Sequence, residues 1–419
     1  MIRSVFRRPL RRGLLLAATA LLSTLCAAAD PPTAADPPTA ADPPAAAAEG
    51  QEGHPPLGTE VIVPDLEGLA EETERAAAEA AAWAETRRRY REAPAGPSVD
   101  TPSRPSVPAI ALRPAEPIEP PPVTSLRVML DGYPSPRHAA LFVARERGLF
   151  ASRGLEVTLA TPADPDVPSK LLAASRIDLA LARQPLLHLQ VDRGLPLVRV
   201  ATLVAMPLSA LVLREDGAIE TPAQLAGSRI GHADIDSRDV LLAALLRGAA
   251  IRDDEVETVA LHFRLGDALR EGRVDGVIGA MRHLLPRQLA DEGLATRVLR
   301  IEELGIPLHD GLVLLANRNH LAPQRDAIRR LVAAIEEATA WIANHPGEAW
   351  ALMVNAEPAL DSAVNREAWE MVRSRLSLSP AALDQGRYRR FENYLFEAGL
   401  IRERHPVSRL AIDPGAPPR

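Results

Sequence analysis

Residues 126–157 read LRVMLDGYPSPRHAALFVARERGLFASRGLEV, and the rest of the chain is organised around them. Leu126–Leu130 is a short apolar run with strand character. Asp131–Arg137, DGYPSPR, is rich in turn formers. In the next stretch Ala140, Phe142, Val143, Leu149 and Phe150 recur at helical spacing. Gly154 breaks the chain before a second apolar run, Leu155–Leu159. Strand, loop, helix, turn, strand is the opening of an α/β lobe. In such lobes ligands bind at the carboxyl ends of strands. The loop 131–138 lies at that place and carries Tyr133, one of four tyrosines in the chain.

Downstream the same alternation continues. Strands are expected at Ile177–Leu181 and Leu197–Val204, with a helix at Lys170–Arg176 and another from Gln184 to Val191. Met206-Pro207-Leu208 interrupts the chain, and Ala210–Leu213 continues it as an extended segment. A second series then follows: strands at Ser228–Gly231, Val256–Leu261, Val274–Ile278, Arg297–Ile301 and Leu312–Ala316, with helices at Asp236–Ala250, Asp267–Glu271 and Leu284–Glu292 between them. From Gln324 the pattern is helical, at Asp326–Asn344, Pro346–Val354, Asn365–Ser374 and Pro380–Ala398. Trp341, Trp350 and Trp369 lie in this part and read as packing residues. Two α/β series with chain returns near Val204–Leu213 and Gly305–Ala316 imply two lobes around a cleft, the usual place for a small molecule.

Upstream the composition changes. About half of the 39 prolines precede Val123. Residues 1–29 combine a basic start, an apolar run from Leu14 to Leu25 and Ala27-Ala28-Ala29, the pattern of a secretory signal. Arg11-Arg12 resembles a weak twin-arginine signal. The apolar run is short for a spanning helix, and an uncleaved anchor is the alternative. Cys26 is the only cysteine, so no internal disulfide forms. It belongs either to a cleaved signal or to the lipidated start of a lipoprotein. Residues 30–122 read as a Pro/Ala-rich spacer, opened by DPPTAADPPTAADPPAAAA. One helix, 66–93, interrupts it, solvated and with a weak docking face. The globular part is expected over 123–403 and a loose tail over 404–419. Net charge is −7 and Lys170 is the single lysine, so no general attraction to nucleic acid is expected.

The core carries an ordered series of motifs: Asp131-Gly132-Tyr133-Pro134-Ser135-Pro136-Arg137-His138, Gly148-Leu149-Phe150, Ile177-Asp178-Leu179-Ala180, Gln184-Pro185, Gly194-Leu195-Pro196, Met206-Pro207-Leu208, residues 222–227 (PAQLAG), residues 272–280 (GRVDGVIGA) and Leu304-Gly305-Ile306-Pro307. Each alone is weak. Their order resembles the periplasmic substrate-binding proteins of ABC importers, in the group that binds thiamine pyrimidine precursors. That group is related to sulfonate and nitrate binders and to fungal pyrimidine synthases. The resemblance implies a type II periplasmic-binding fold, with lobe I over about 123–208 and 313–403 and lobe II over about 209–312. It implies a small heteroaromatic ligand, ABC permease and ATPase partners, a periplasmic or extracytoplasmic location and no catalysis. The chain departs from the group at Tyr133, where Trp is frequent, and at His309-Asp310-Gly311, where a carboxylate is replaced by Gly311. The cysteine-rich, iron-associated motif of the synthases is absent.

Ten residues are expected in the cleft. Tyr133 would stack on a flat ring, or pack on its own lobe. His138 would donate to a ligand, or cap its loop. Gln184 offers donor and acceptor together, or caps a helix. Met206 lies at the first crossing. Ser237, beside Asp236, would hold a polar group, or N-cap a helix. Met281 and Arg282 would line the second lobe. Glu302 would pair with an aminopyrimidine. His309 and Asp310 lie at the second crossing. The histidines show no close metal-ligand spacing, and no nucleophile elbow or phosphate loop occurs, so neither metal nor cofactor is expected. A sulfonate or nitrate binder, a ligand-sensing module and a synthase-like enzyme are the alternatives.

Overall fold

The computed structural model describes residues 60–62, 72–82, 85 and 123–416. The expected leader with Cys26 lies outside them, as do most of the spacer, residues 66–71, 83–84 and 86–93 of its helix, and 417–419.

The chain from Thr124 onward, joined by the strand Glu60–Ile62, forms two α/β lobes. Lobe I carries a six-stranded sheet built from β1 (Glu60–Ile62), β2 (Thr124–Met129), β3 (Leu155–Pro162), β4 (Leu179–Ala182), β5 (Leu197–Val204) and β11 (Leu312–Asn317), in the order β1-β3-β2-β4-β11-β5. Its first four members are parallel, and β11 runs antiparallel to β4 and β5. Lobe II carries β6 (Ser209–Arg214), β7 (Arg229–His232), β8 (Glu257–Ala260), β9 (Gly276–Met281) and β10 (Thr296–Arg300), in the order β10-β6-β9-β7-β8. The chain crosses out between β5 and β6 and returns between β10 and β11.

The apolar runs are continuous because these strands are buried on both faces. In β2 and just beyond it, Val128 and Leu130 join one core cluster while Met129 joins the other. In β11, Leu312, Leu314 and Ala316 face one side, and Val313 and Leu315 the other. Lobe II repeats the rule: Leu211 and Leu213 face one cluster, Ala210 and Val212 the second. Two glycines set close approaches or turns. Gly154 takes φ +66 before β3, and a Cβ on Gly311 would fall 2.0 Å from the Met206 carbonyl oxygen. The two crossings therefore touch at a point where only glycine fits.

Helices cover the sheets: α1 (residues 72–82), α2 (Ala139–Glu146), α3 (Val167–Ala173), α4 (Gln184–Asp192), α5 (Ala243–Gly248), α6 (Leu265–Arg270), α7 (Leu285–Asp291), α8 (Leu321–Asn344), α9 (Pro346–Ala356), α10 (Ala363–Val372), α11 (Gln385–Glu397) and α12 (Val407–Leu410). Trp350 and Trp369 are buried, and Trp341 packs at the edge of the same cluster. Among the described residues no helix is long and apolar enough to cross a membrane.

Three expectations need correction. Glu60–Ile62, inside the expected spacer, pairs with Ala160–Pro162 as an edge strand. The helix expected over 236–250 opens as a π-helical turn, Ser237–Leu242, before α5. The tail expected to be loose is docked: Leu410 and Ala411 are buried, and the Ile412 N–H donates to the Arg199 carbonyl at 3.0 Å. The fully buried Arg199 guanidinium contributes to this docking, together with Arg318, which donates to the Ser408 and Arg409 carbonyls, and the apolar burial of Leu410 and Ala411. Arg199 donates to the carbonyls of Pro380, Ala381, Ala382 and Ile412, so one side chain ties β5 to the C-terminal segment.

Candidate functional site

The carboxyl ends of the parallel strands of both sheets face each other across a cleft of ≈ 490 Å³. From lobe I, β2 delivers Asp131–Arg137, β3 delivers Pro165 and Pro168, and β4 delivers Arg183. From lobe II, β7 delivers Ala233 and Asp234, β8 delivers His262 and Phe263, and β9 delivers Gly279–Met281. This is the position at which open α/β sheets bind ligands. Apolar side chains, among them Leu181, Leu186, Leu265 and Leu285, line much of the wall. Tyr133 of lobe I and Phe263 of lobe II meet with ring centroids 4.8 Å apart and planes at 50°. Tyr133 is 47% exposed, so its ring is only partly committed to that contact.

The charged groups on the wall are already paired. Asp131 accepts from His138 Nε2 at 2.9 Å and lies 3.3 Å from the Arg137 guanidinium. Burial alone would raise the Asp131 carboxyl; Arg137 and His138 outweigh it and hold the group well below the ordinary carboxylate range. His138 is fully buried, and burial in the first place lowers its pKa. Its Nδ1 accepts the Ser135 N–H at 3.2 Å, which leaves the Nε2 proton for Asp131. Arg183 crosses the cleft. It donates to both Asp236 oxygens, at 3.0 and 2.7 Å, and also pairs with Asp234. Burial works against the Arg183 charge, yet Asp234 and Asp236 raise its pKa well above the usual value. Two carboxylates share this guanidinium. Burial and the neighbouring Asp234 push Asp236 well up, while Asp234, facing Arg183 and Ser237, is held down against its own burial.

Two further contacts join the lobes. His262 Nδ1 lies 2.8 Å from an Asp164 oxygen, and the Ile235 N–H donates to Asp166 at 3.0 Å. Burial, with Asp234 and Asp164 close by, raises the Asp166 carboxyl despite that hydrogen bond.

Of the ten residues expected in the cleft, Tyr133 and Met281 line it. The other eight stand elsewhere. His138 sits behind the loop and positions Asp131. Ser237 is buried and donates to Asp234 at 2.5 Å. Gln184 accepts the Asp310 N–H at 2.7 Å and contacts His188. Asp310 accepts from Thr202 at 2.7 Å, from Arg387 at 2.5 Å and from Tyr388 at 3.3 Å. His309 packs against Phe391 and bonds the Pro307 carbonyl; burial foremost pushes its pKa down to about 4. These three brace the second crossing. Met206 is partly exposed on the first crossing. Arg282 and Glu302 pair with each other at 2.5 Å. The residues that sequence reasoning missed are Asp131, Arg183, Asp234, His262 and Phe263. Each follows the end of an expected strand or lies next to a chosen residue, so strand ends were the available signal.

Comparison with known proteins agrees with this geometry. Residues 135–349 match the family described as NMT1/THI5 like. The chain is 35% identical to a "Putative thiamine biosynthesis protein" of Haemophilus influenzae over 289 residues, covering 69% of this chain and 91% of that one. It is 31% identical to the "Formylaminopyrimidine-binding protein" of Halalkalibacterium halodurans over 237 residues, 56% of this chain and 72% of that one. In structure it resembles the alkanesulfonate-binding protein SsuA of Xanthomonas axonopodis pv. citri bound to MOPS, with a TM-score of 0.55 and 18% identity over 69% of this chain and 98% of that one; at that identity the likeness concerns the fold. Fold, strand-end cleft and sequence agree, and the chain belongs to the NMT1/THI5-like family.

Proposed function

We propose that this protein is the extracytoplasmic solute-binding component of an ABC importer and takes a small, uncharged heteroaromatic ligand of the aminopyrimidine type, a thiamine precursor, without altering it. The observation that carries the reading is the pairing of Tyr133 and Phe263 from opposite lobes over a cleft whose arginines are already engaged. A flat ring entering between the lobes gains aromatic faces on both sides. Arg137 faces Asp131, Arg183 faces Asp234 and Asp236, and Arg270 faces Asp267 and Glu292. A sulfonate or nitrate would have to displace one of these carboxylates from its guanidinium. An aminopyrimidine needs acceptors for its amino group, and Asp131 and Asp234 stand on the wall. The relative named for formylaminopyrimidine binding supports the same ligand class. The permease and ATPase partners, and a location outside the cytoplasm, follow from this reading.

Thermal melts of the purified chain with aminopyrimidines, alkanesulfonates and nitrate test it, because a ligand bound only by the native state raises the melting temperature. A shift with the aminopyrimidines alone is expected. A shift with sulfonate or nitrate and none with aminopyrimidines overturns the ligand class. Conversion of the bound pyrimidine overturns the binding-protein reading.

A further inference from the structure

We propose that Asp164 and Asp166 of lobe I and His262 of lobe II form a divalent-metal site, of the zinc class, that fastens the two lobes at the edge of the cleft. One ligand atom from each residue lies within 4.8 Å of the other two. Zinc binds imidazole nitrogen and carboxylate oxygen at ~2.0–2.2 Å, so the three atoms need only side-chain adjustments to surround one ion. One imidazole and two carboxylates suit zinc better than calcium or magnesium, which prefer all-oxygen shells.

The carboxylates are held for the task. One oxygen of Asp164 accepts the Asp166 N–H at 2.8 Å, while the other faces His262. One oxygen of Asp166 accepts the Ile235 N–H at 3.0 Å. Each carboxylate therefore has one oxygen anchored to backbone, the kind of outer contact that orients metal ligands. Pro165 lies between the two aspartates and Pro168 follows them, and both restrict the backbone there. Asp166 also sits among other carboxylates, a crowding that a cation relieves.

Three protein ligands leave a coordination position open to water or to a molecule in the cleft, which His262 also lines. Because the ligands come from both lobes, the complete set exists only when the lobes are together. Metal and cleft ligand then favour the same arrangement, and each raises the affinity for the other. Histidine spacing along the chain cannot reveal such a site, since its ligands come from two distant loops.

Calorimetric titration of the EDTA-stripped full chain with zinc chloride tests the site, with no organic ligand present, so its outcome is independent of the ligand class proposed above. Binding of about one zinc per chain is expected. His262→Ala on one lobe and Asp166→Asn on the other should each weaken it by more than about tenfold. Asp361→Asn, an exposed acid outside the cluster, should leave it unchanged. All variants should melt as the wild type does in EDTA. No saturable binding overturns the proposal. Binding that survives either cluster variant also overturns it and assigns the zinc to adventitious surface carboxylates.

Discussion

Arg183→Leu separates closure from folding. In the closed arrangement the substitution leaves Asp234 and Asp236 facing each other without the guanidinium that both contact. Asp236 is fully buried and Asp234 5% exposed. Removing one partner of a buried pair costs about 3–5 kcal/mol. Arg183 belongs to lobe I and both carboxylates to lobe II, so this cost attaches to lobe contact rather than to either lobe's own core. In an open form water reaches the carboxylates and most of the penalty disappears. Aminopyrimidine affinity should therefore fall by about two to three and a half orders of magnitude, at ~1.4 kcal/mol per decade, while the melt of the unliganded chain moves little. Arg183→Leu combined with Asp236→Asn, which removes one of the two buried acidic groups, should recover part of the loss. Titration calorimetry for affinity and urea melts for stability give the two numbers. Unchanged affinity, or a full loss of about 3–5 kcal/mol in the unliganded melt, would refute the reasoning, because the ion pair would then belong to folding and not to closure.

Tyr133→Ala and Phe263→Ala should each weaken aminopyrimidine binding by about tenfold, equivalent to ~1.4 kcal/mol and within the range of one aromatic contact. Tyr133→Phe should bind as the wild type does in the same calorimetric assay. Arg199→Met strands carbonyls at residues 380–382 and 412 and should lower the urea-unfolding free energy by about 3–5 kcal/mol. His188 and His405 bond Glu392 and outweigh its burial, which taken alone would raise its pKa; the carboxyl is held down at about 2. Its stabilisation is complete above the ordinary value of 4.5 and is lost as pH falls towards 2; Glu392→Gln should flatten that part of the stability–pH curve. Gly311→Ala forces the two crossings apart and should destabilise by about 1–3 kcal/mol in the same melt.

The lobes were legible because strands buried on both faces leave long apolar runs. Leu126–Leu130 needs no partner to be recognised, and Leu312–Ala316 reads equally well. What did not show was pairing supplied from outside a run. Glu60–Ile62 is too short to stand out and is a strand only because β3 offers an edge. The segment after Arg402 lacks an apolar period of its own. It is held by arginines far earlier in the chain, Arg199 in β5 on the Ile412 carbonyl and Arg318 on those of Ser408 and Arg409, contacts that local pattern cannot carry.

The site was legible in place and not in membership, for a related reason. Polar residues at the ends of strands and at crossings are alike in sequence, whether they face a ligand or one another. His138, Gln184, His309 and Asp310 have the donors and acceptors a ligand would use, but the structure commits them to loop and hinge contacts. Burial makes the difference: a polar side chain enclosed at a hinge must be satisfied there, since leaving it unpaired costs ~1–3 kcal/mol. Gly311 shows the same logic from the other side. A carboxylate at that position would collide with the Met206 carbonyl, so the departure from the pattern of related binders reports how closely the crossings pack. The strand-end residues Asp131, Tyr133, Asp234 and Phe263 are the ones that line the cleft instead.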